Sequence, residues 1–290
     1  MSHAPFRFTS FDGLRLAGRN YRPGGPDRAT PVLCLAGLTR NSADFDALAR
    51  HLSQSAPRPR RVVTLDMRGR GASDRDPNVA NYDILVEARD ALDGMVAADI
   101  HEVAIVGTSR GAILAMAMAA MRPGVLRAVV MNDLGPQIEA EGLRELGVAL
   151  SKRESATDWA SATAELRAAN ESGFSALDEA GWDRFARAIY VERGGRIVPD
   201  YDPAIADALP PEGAPPPPRM WRSFAALRGL PVLSIRGELS TLLTAATQRE
   251  MQRRHGGVEL LTVPGQGHAP RLDDEPTMSA IGAFLNRHLT

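Results

Sequence analysis

The hydrophobic positions of the chain predict short strands that alternate with helices. Near the N-terminus, residues 6–9 and 14–21 have strand-like sequences and flank Asp12-Gly13, a pair typical of hairpin turns. Six further apolar runs have the length and composition of buried strands: residues 31–36, 61–65, 103–106, 126–131, 230–235 and 258–263. Continuously apolar strands separated by helices are typical of parallel sheets covered on both faces, so these eight strands predict a mostly parallel sheet in an α/β fold.

Apolar residues three and four positions apart predict the helices that connect these strands. They lie within residues 41–52, 84–96, 110–121, 245–255 and 276–288. The pattern therefore predicts a sheet with helices on both of its faces.

Residues 137–227 break this alternation. They contain no convincing strand, but the pattern predicts amphipathic helices around residues 139–152, 158–169 and 182–191, followed by a proline-rich, extended connector at 210–218. We expect residues 137–227 to form a helical cap over one end of the sheet, and residues 1–136 and 228–290 to form the core domain. A separate helical domain is the alternative interpretation of the same segment.

The charge and cysteine content exclude several kinds of partner and site. With 34 basic and 35 acidic side chains, the net charge of −1 gives no electrostatic reason to expect nucleic acid or an anionic membrane as a partner. The single cysteine, Cys34, excludes an internal disulfide. The chain lacks a signal-peptide pattern and an apolar run of membrane-spanning length. We expect a cytoplasmic monomer or homodimer that binds a small-molecule substrate and needs no metal or other cofactor.

The strongest chemical signal is a serine between a predicted strand and a predicted helix. The segment reads Gly107-Thr108-Ser109-Arg110-Gly111, which matches the G-x-S-x-G pattern of a nucleophile elbow. An apolar strand leads into it and an apolar helix leaves it, as such an elbow requires. The context favours Ser109 as a nucleophile over the plainer interpretation of a serine that caps a helix.

With this elbow, the chain resembles the α/β-hydrolase superfamily over essentially its whole length. Further matching segments are Leu35-Ala36-Gly37-Leu38 after the third strand, residues 66–74 (DMRGRGASD) after the fourth, residues 132–136 (NDLGP) after the sixth, and Gly267-His268 after the last. The resemblance implies a mostly parallel eight-stranded sheet flanked by helices, with a helical cap inserted after the sixth strand. A serine at the elbow argues against the epoxide hydrolases and haloalkane dehalogenases, whose nucleophile is Asp.

The resemblance also implies a base and an oxyanion hole. His268 lies in a loop directly after the last strand, and the order serine then histidine is that of the superfamily. A serine hydroxyl needs such a base to remove its proton. The oxyanion hole would be formed by the backbone amides of Leu38 and Arg110.

The third member of the expected triad is the one departure from the family pattern. The segment after the seventh core strand is Arg236-Gly237-Glu238-Leu239-Ser240-Thr241, so that Thr241 occupies the position where relatives often have Asp. Asp133, at the end of the sixth strand, is the favoured replacement. Glu238 is the alternative acid, and a site without any acid is the third possibility.

These residues indicate a cofactor-free serine hydrolase that cleaves a small to medium carboxylic ester or lactone through an acyl-enzyme on Ser109, with His268 as base. Cleavage of carbon–carbon bonds beside a carbonyl needs the same residues and stays open as a variant. A binding or regulatory protein with a degraded site is the alternative from another class, since Thr241 replaces the usual acid.

Overall fold

The computed structural model describes residues 3–24, 29–151, 155–208 and 215–289, and ten strands lie within these ranges. They are β1 (Ala4–Thr9), β2 (Arg15–Tyr21), β3 (Val32–Leu35), β4 (Val62–Asp66), β5 (Val103–Thr108), β6 (Leu126–Asn132), β7 (Tyr190–Arg193), β8 (Arg196–Pro199), β9 (Val232–Gly237) and β10 (Val258–Val263). Eight of these described strands form one sheet in the order β1-β2-β4-β3-β5-β6-β9-β10. Within this sheet of the described strands, only the pairs β1–β2 and β2–β4 are antiparallel, so the predicted mostly parallel sheet is confirmed.

Helices cover both faces of the sheet. The α-helices of the described residues are α1 (Asp46–Arg50), α2 (Ile84–Ala97), α3 (Arg110–Met121), α4 (Ala140–Ser151), α5 (Trp159–Asn170), α6 (Glu179–Ile189), α7 (Trp221–Phe224), α8 (Ala245–His255) and α9 (Glu275–His288). Apolar side chains of α2, α3, α7 and α8 pack on one face, while those of α1 and α9 pack on the other. Every residue of β3 and β4 is therefore buried, which explains why β3 is continuously apolar in sequence. The buried residues of β4 include two polar ones, Thr64 and Asp66.

The segment between β6 and β9 leaves the sheet, forms α4, α5, α6 and the small hairpin β7–β8, and returns to the main core at α7. The prediction that this segment holds no strand is wrong. The helix predicted to continue to residue 191 ends at Ile189, and the chain then turns back through Gly194 and Gly195, whose φ angles are 59° and 72°. Two successive glycines at positive φ permit a two-residue hairpin turn. The Gly-Gly dipeptide was therefore the sequence signal for these two strands.

The inserted segment has an apolar cluster of its own. It includes Phe174, Trp182 and Phe185, all from the region of α5 and α6. Further along, Phe224 and Leu227 pack in the main core beneath the sheet. The division at residues 137–227 remains a prediction. Lys152 and residues 210–214 of the predicted connector lie outside the described residues.

In the part of the chain that the structure describes, we find no helix whose length and apolar character would let it cross a membrane.

Candidate active site

The site begins with a tight turn between β5 and α3. Ser109 lies in this turn with φ 50° and ψ −114°, a conformation that L-residues rarely adopt. The turn is closely packed, since a Cβ atom added to Gly111 would lie 2.0 Å from the carbonyl oxygen of Leu35. One added to Gly107 would lie 2.4 Å from the carbonyl of Gly111. Both glycines are therefore required by space, and the strained turn holds the serine hydroxyl beyond the carboxyl end of the sheet.

His268 lies in the loop that follows β10 and contacts the serine. Its Nε2 atom is 2.9 Å from Ser109 Oγ. Its Nδ1 atom is 2.8 Å from Asp133 Oδ2. The imidazole thus lies between a hydroxyl and a carboxylate that are 24 positions apart in the sequence and directly follow the adjacent strands β5 and β6.

Asp133 directly follows β6 and is fully buried. Its φ of 57° lies in the left-handed region, which Asp tolerates better than most residues. Its Oδ1 atom accepts a hydrogen bond from the amide of Gly237 at 2.8 Å. Because a carboxylate can only accept, a neutral His268 donates its Nδ1 hydrogen to Asp133 and leaves the Nε2 lone pair facing the Ser109 hydroxyl.

The structure does not bring the other two positions to the imidazole. Glu238 is exposed, and its Oε2 atom accepts a hydrogen bond from the amide of Gly265 at 2.9 Å. Thr241 is also exposed. The end of β9 contributes to the site through Gly237, whose backbone amide donates a hydrogen bond to the buried carboxylate of Asp133.

Sequence reasoning missed the connecting role of Asn132, a fully buried residue at the end of β6. Its side-chain amide donates to Thr108 Oγ1 at 3.0 Å and to the carbonyl of Pro270 at 2.8 Å. The backbone carbonyl of Asn132 accepts a hydrogen bond from the backbone amide of Ser109 at 2.8 Å. Asn132 therefore ties the serine turn to the histidine loop, and no sequence signal beyond its position beside Asp133 could have indicated this.

The two predicted oxyanion residues lie beside the serine. Arg110 begins α3, and Leu38 follows β3 and lines the same cavity as Ser109. Among the described residues, neither backbone amide donates to a protein acceptor, so both remain available to a ligand. The Leu38 carbonyl, in contrast, accepts a hydrogen bond from Nε of Arg70 at 2.7 Å.

The cavity above Ser109 and His268 has a volume of about 660 Å³. One wall comes from the loop after β3 and from α1. The opposite wall comes from the inserted segment, through Leu146 and Ala149 of α4, Asn170 of α5 and Phe185 of α6. Side chains of the insertion thus face the same space as the serine and histidine.

Comparison with known proteins identifies the family. A family model described as "Alpha/beta hydrolase family" matches residues 32–280. This chain belongs to the alpha/beta hydrolase family. Its solved relatives include an alpha/beta hydrolase from Novosphingobium aromaticivorans, which is 37% identical, with a TM-score of 0.89 and coverage of 99% of both chains.

Two curated relatives of this alpha/beta hydrolase are named as hydrolases. The 3-hydroxybutyrate-oligomer hydrolase of Cupriavidus necator is 30% identical over 90% of both chains. The 2-(acetamidomethylene)succinate hydrolase of Mesorhizobium japonicum is 27% identical over 88% of this chain and 87% of its own. The hydrolase family of this chain and its likeness to these two proteins support an enzyme.

Arginines dominate the charge around the cavity of this hydrolase. Arg40 pairs with Asp44, Arg271 with Asp273 and Arg187 with Asp183. Arg184 of α6 also lines the cavity, but no carboxylate of the described residues lies within ion-pair distance of it. The site therefore has a cation that its own protein surroundings do not neutralise.

Proposed function

We propose that this alpha/beta hydrolase is a cofactor-free serine hydrolase that cleaves a small to medium carboxylic ester or lactone. The contact of His268 with both Ser109 Oγ and Asp133 Oδ2 carries this proposal. In this proposal Ser109 is the nucleophile, His268 the base and Asp133 the group that orients the base. A catalytic triad is recognised by this geometry and not by sequence position.

In the first half of the reaction, Ser109 Oγ attacks the ester carbonyl carbon while His268 Nε2 accepts the hydroxyl proton. Asp133 stabilises the resulting imidazolium, and the amides of Leu38 and Arg110 donate to the oxyanion. Collapse of the tetrahedral intermediate breaks the bond to the leaving alcohol, which takes the proton from His268. The acyl group remains on Ser109.

In the second half, water attacks the acyl carbon and gives its proton to His268. The new tetrahedral intermediate collapses, the bond to Ser109 Oγ breaks, and the serine recovers its proton from the imidazolium. The products are a carboxylic acid and the regenerated hydroxyl, so no cofactor is consumed.

An ester is favoured over a carbon–carbon bond by the curated relative that is named for 3-hydroxybutyrate oligomers. Hydroxy acids form such oligomers through ester bonds. Thr241 favours a binding protein with a degraded site, whereas the contact between Asp133 and His268 supports an enzyme whose acid lies at Asp133. We further propose that α4, α5 and α6 act as a cap whose side chains select the substrate.

A fluorophosphonate probe tests the proposed nucleophile, because it reacts covalently with a serine that an adjacent base activates. We expect the probe to label the wild-type chain at Ser109, as located by mass spectrometry of the digested protein, and not the Ser109→Ala variant. The Ser279→Ala variant, which changes a serine of α9 away from the cavity, should be labelled like the wild type. Absence of labelling of the folded wild-type chain would refute the proposed function.

A negatively charged substrate fits the unneutralised guanidinium of Arg184. The named substrates of the two curated relatives, a hydroxybutyrate oligomer and a substituted succinate, carry carboxylates. We expect Arg184→Gln to raise KM about 5-fold for an ester that bears a free carboxylate, since an exposed ion pair contributes up to about 1 kcal/mol. KM for the corresponding uncharged ester should not change.

The matched control for Arg184 is Arg222→Gln, which removes an arginine of α7 that does not line the cavity. It should leave KM unchanged for both esters. Equal increases in KM for the charged and the uncharged ester in Arg184→Gln would show that Arg184 does not recognise the carboxylate.

A further inference from the structure

A fully buried carboxylate, Glu87 of α2, lies behind the serine turn and outside the triad. Its Oε1 atom accepts a hydrogen bond from Nη1 of Arg70 at 2.7 Å. Its Oε2 atom accepts one from Nε of Arg110, also at 2.7 Å. One carboxylate therefore holds two guanidinium groups, one on each oxygen.

Both arginines lead to the backbone that would bind the oxyanion. Nε of Arg70 donates to the carbonyl of Leu38 at 2.7 Å, so that Arg70 joins Glu87 to the loop after β3. Arg110 carries the second amide itself, and its side chain anchors the first turn of α3 to Glu87. The amides of Leu38 and Arg110 come from different elements of the fold. Glu87 is the group to which both residues are connected by side-chain hydrogen bonds, through Arg70 and Arg110.

The charge balance in this region depends on Glu87. The side chain of Arg70 is fully buried, and that of Arg110 is 15% exposed. Burial alone would raise the pKa of Glu87, but the charges of Arg70 and Arg110 outweigh it and hold the pKa below its usual value. Without the carboxylate, two neighbouring cations would lose their shared partner and one hydrogen bond each. Their remaining hydrogen bonds go to the backbone carbonyls of Leu38 and Arg68, from Arg70, and of Tyr82, from Arg110.

We propose that Glu87 is a positioning residue for the oxyanion hole, which holds the amides of Leu38 and Arg110 at a fixed separation through Arg70 and Arg110. The inference rests on the proposed function, because it assumes that an oxyanion develops between these amides. Glu87 takes no part in proton transfer, since its hydrogen bonds go to the two arginines and not to His268 or Ser109.

A positioning role and a purely structural role differ in their kinetic consequences. Oxyanion donors act on the tetrahedral intermediate more than on the bound ester, so that their displacement lowers kcat with little change in KM. Removal of one donor costs about 10²- to 10³-fold in kcat. Because Glu87→Gln would displace the donors without removing them, we expect a loss in kcat of about 10- to 100-fold.

The test compares Glu87→Gln with Asp90→Asn. Asp90 lies one turn further along α2, is equally buried, and pairs with Arg68 without contacting Leu38 or Arg110. For each variant we would measure kcat and KM for an ester, the affinity for a trifluoromethyl ketone that forms a tetrahedral adduct on the serine, and Tm. We expect Glu87→Gln to lower kcat and the inhibitor affinity by similar factors with KM unchanged, and Asp90→Asn to change only Tm.

If Glu87→Gln does not fold, Arg110→Gln serves in its place, because it breaks the link to Glu87 but keeps the backbone amide of residue 110. It should reduce kcat and inhibitor affinity together, again with KM unchanged. Variants with wild-type kcat and inhibitor affinity, or a kcat loss equal to that of Asp90→Asn, would overturn the role of Glu87. Fluorophosphonate labelling distinguishes the hydrolase function from the positioning role of Glu87. If the wild-type chain is not labelled, both proposals are refuted. If it is labelled, the kinetics of these variants test the positioning role alone.

Discussion

Replacement of Asp133 by Asn is expected to lower kcat for ester hydrolysis by about 10⁴-fold, as loss of the corresponding carboxylate does in serine proteases. An asparagine keeps the shape of the side chain but removes the charge that would stabilise the imidazolium of His268. Its amide hydrogens could also face Nδ1, which would favour the wrong tautomer and turn the Nε2 hydrogen towards Ser109. Steady-state kinetics and circular dichroism on the same preparation would measure this loss and verify that the fold is retained.

The control for Asp133 is Glu238→Gln, which removes the exposed carboxylate of the neighbouring loop. It should leave kcat unchanged, since the structure joins Glu238 to Gly265 and not to His268. Thr241→Asp should also give no increase, because Asp133 already occupies the hydrogen-bonding position at Nδ1. A loss of orders of magnitude in Glu238→Gln, with full activity in Asp133→Asn, would exchange the two assignments.

Replacement of Gly111 by Ala is expected to lower the free energy of unfolding by about 3 kcal/mol, at the upper end of what overpacking usually costs. The added methyl group would lie 2.0 Å from the carbonyl oxygen of Leu35, and neither a Cβ atom nor a backbone carbonyl has a rotamer to change. Either β3 and α3 separate, or the turn at Ser109 deforms. Urea denaturation followed by circular dichroism would measure the effect.

Gly147→Ala provides the matched control, because a Cβ atom at this position of α4 would meet no neighbour within 4 Å. Removing a glycine from a helix interior should raise the free energy of unfolding by roughly 0.5–1 kcal/mol. If Gly111→Ala and the wild type had the same midpoint of urea denaturation, β3 and α3 would be less closely packed than the structure indicates.

The sheet could be predicted, and two residues of the candidate site could be proposed, because both depend on local sequence. The alternation of apolar runs and helices gave the parallel strands, and the elbow and the last loop identified Ser109 and His268. Parallel strands end at the same edge of a sheet, so residues after β5, β6 and β10 were candidates to meet. This geometry alone could not choose between Asp133 and Glu238, since both follow strands that end at that edge.

The contacts that favour Asp133 over Glu238, and those that hold the loop carrying Leu38, depend on packing between elements far apart in sequence. Glu87 lies on an amphipathic helix, where its spacing is that of an ordinary polar residue. Its contacts with Arg70 and Arg110 form only when α2 packs against α3 and the loop after β4. The hairpin β7–β8 was missed for a different reason, because a helical pattern obscured the turn signal at Gly194 and Gly195.

The position of Asp133 has a consequence for protein engineering. It precedes the inserted segment by only a few residues, whereas relatives with the acid after the penultimate core strand carry it on the far side of that segment. A chimera that exchanges residues 137–220 for the corresponding part of another hydrolase would therefore keep all three side chains of the proposed triad in the recipient chain. The segment that carries Thr241 could then be randomised in a library, because the carboxylate proposed to orient the imidazole lies elsewhere, at Asp133.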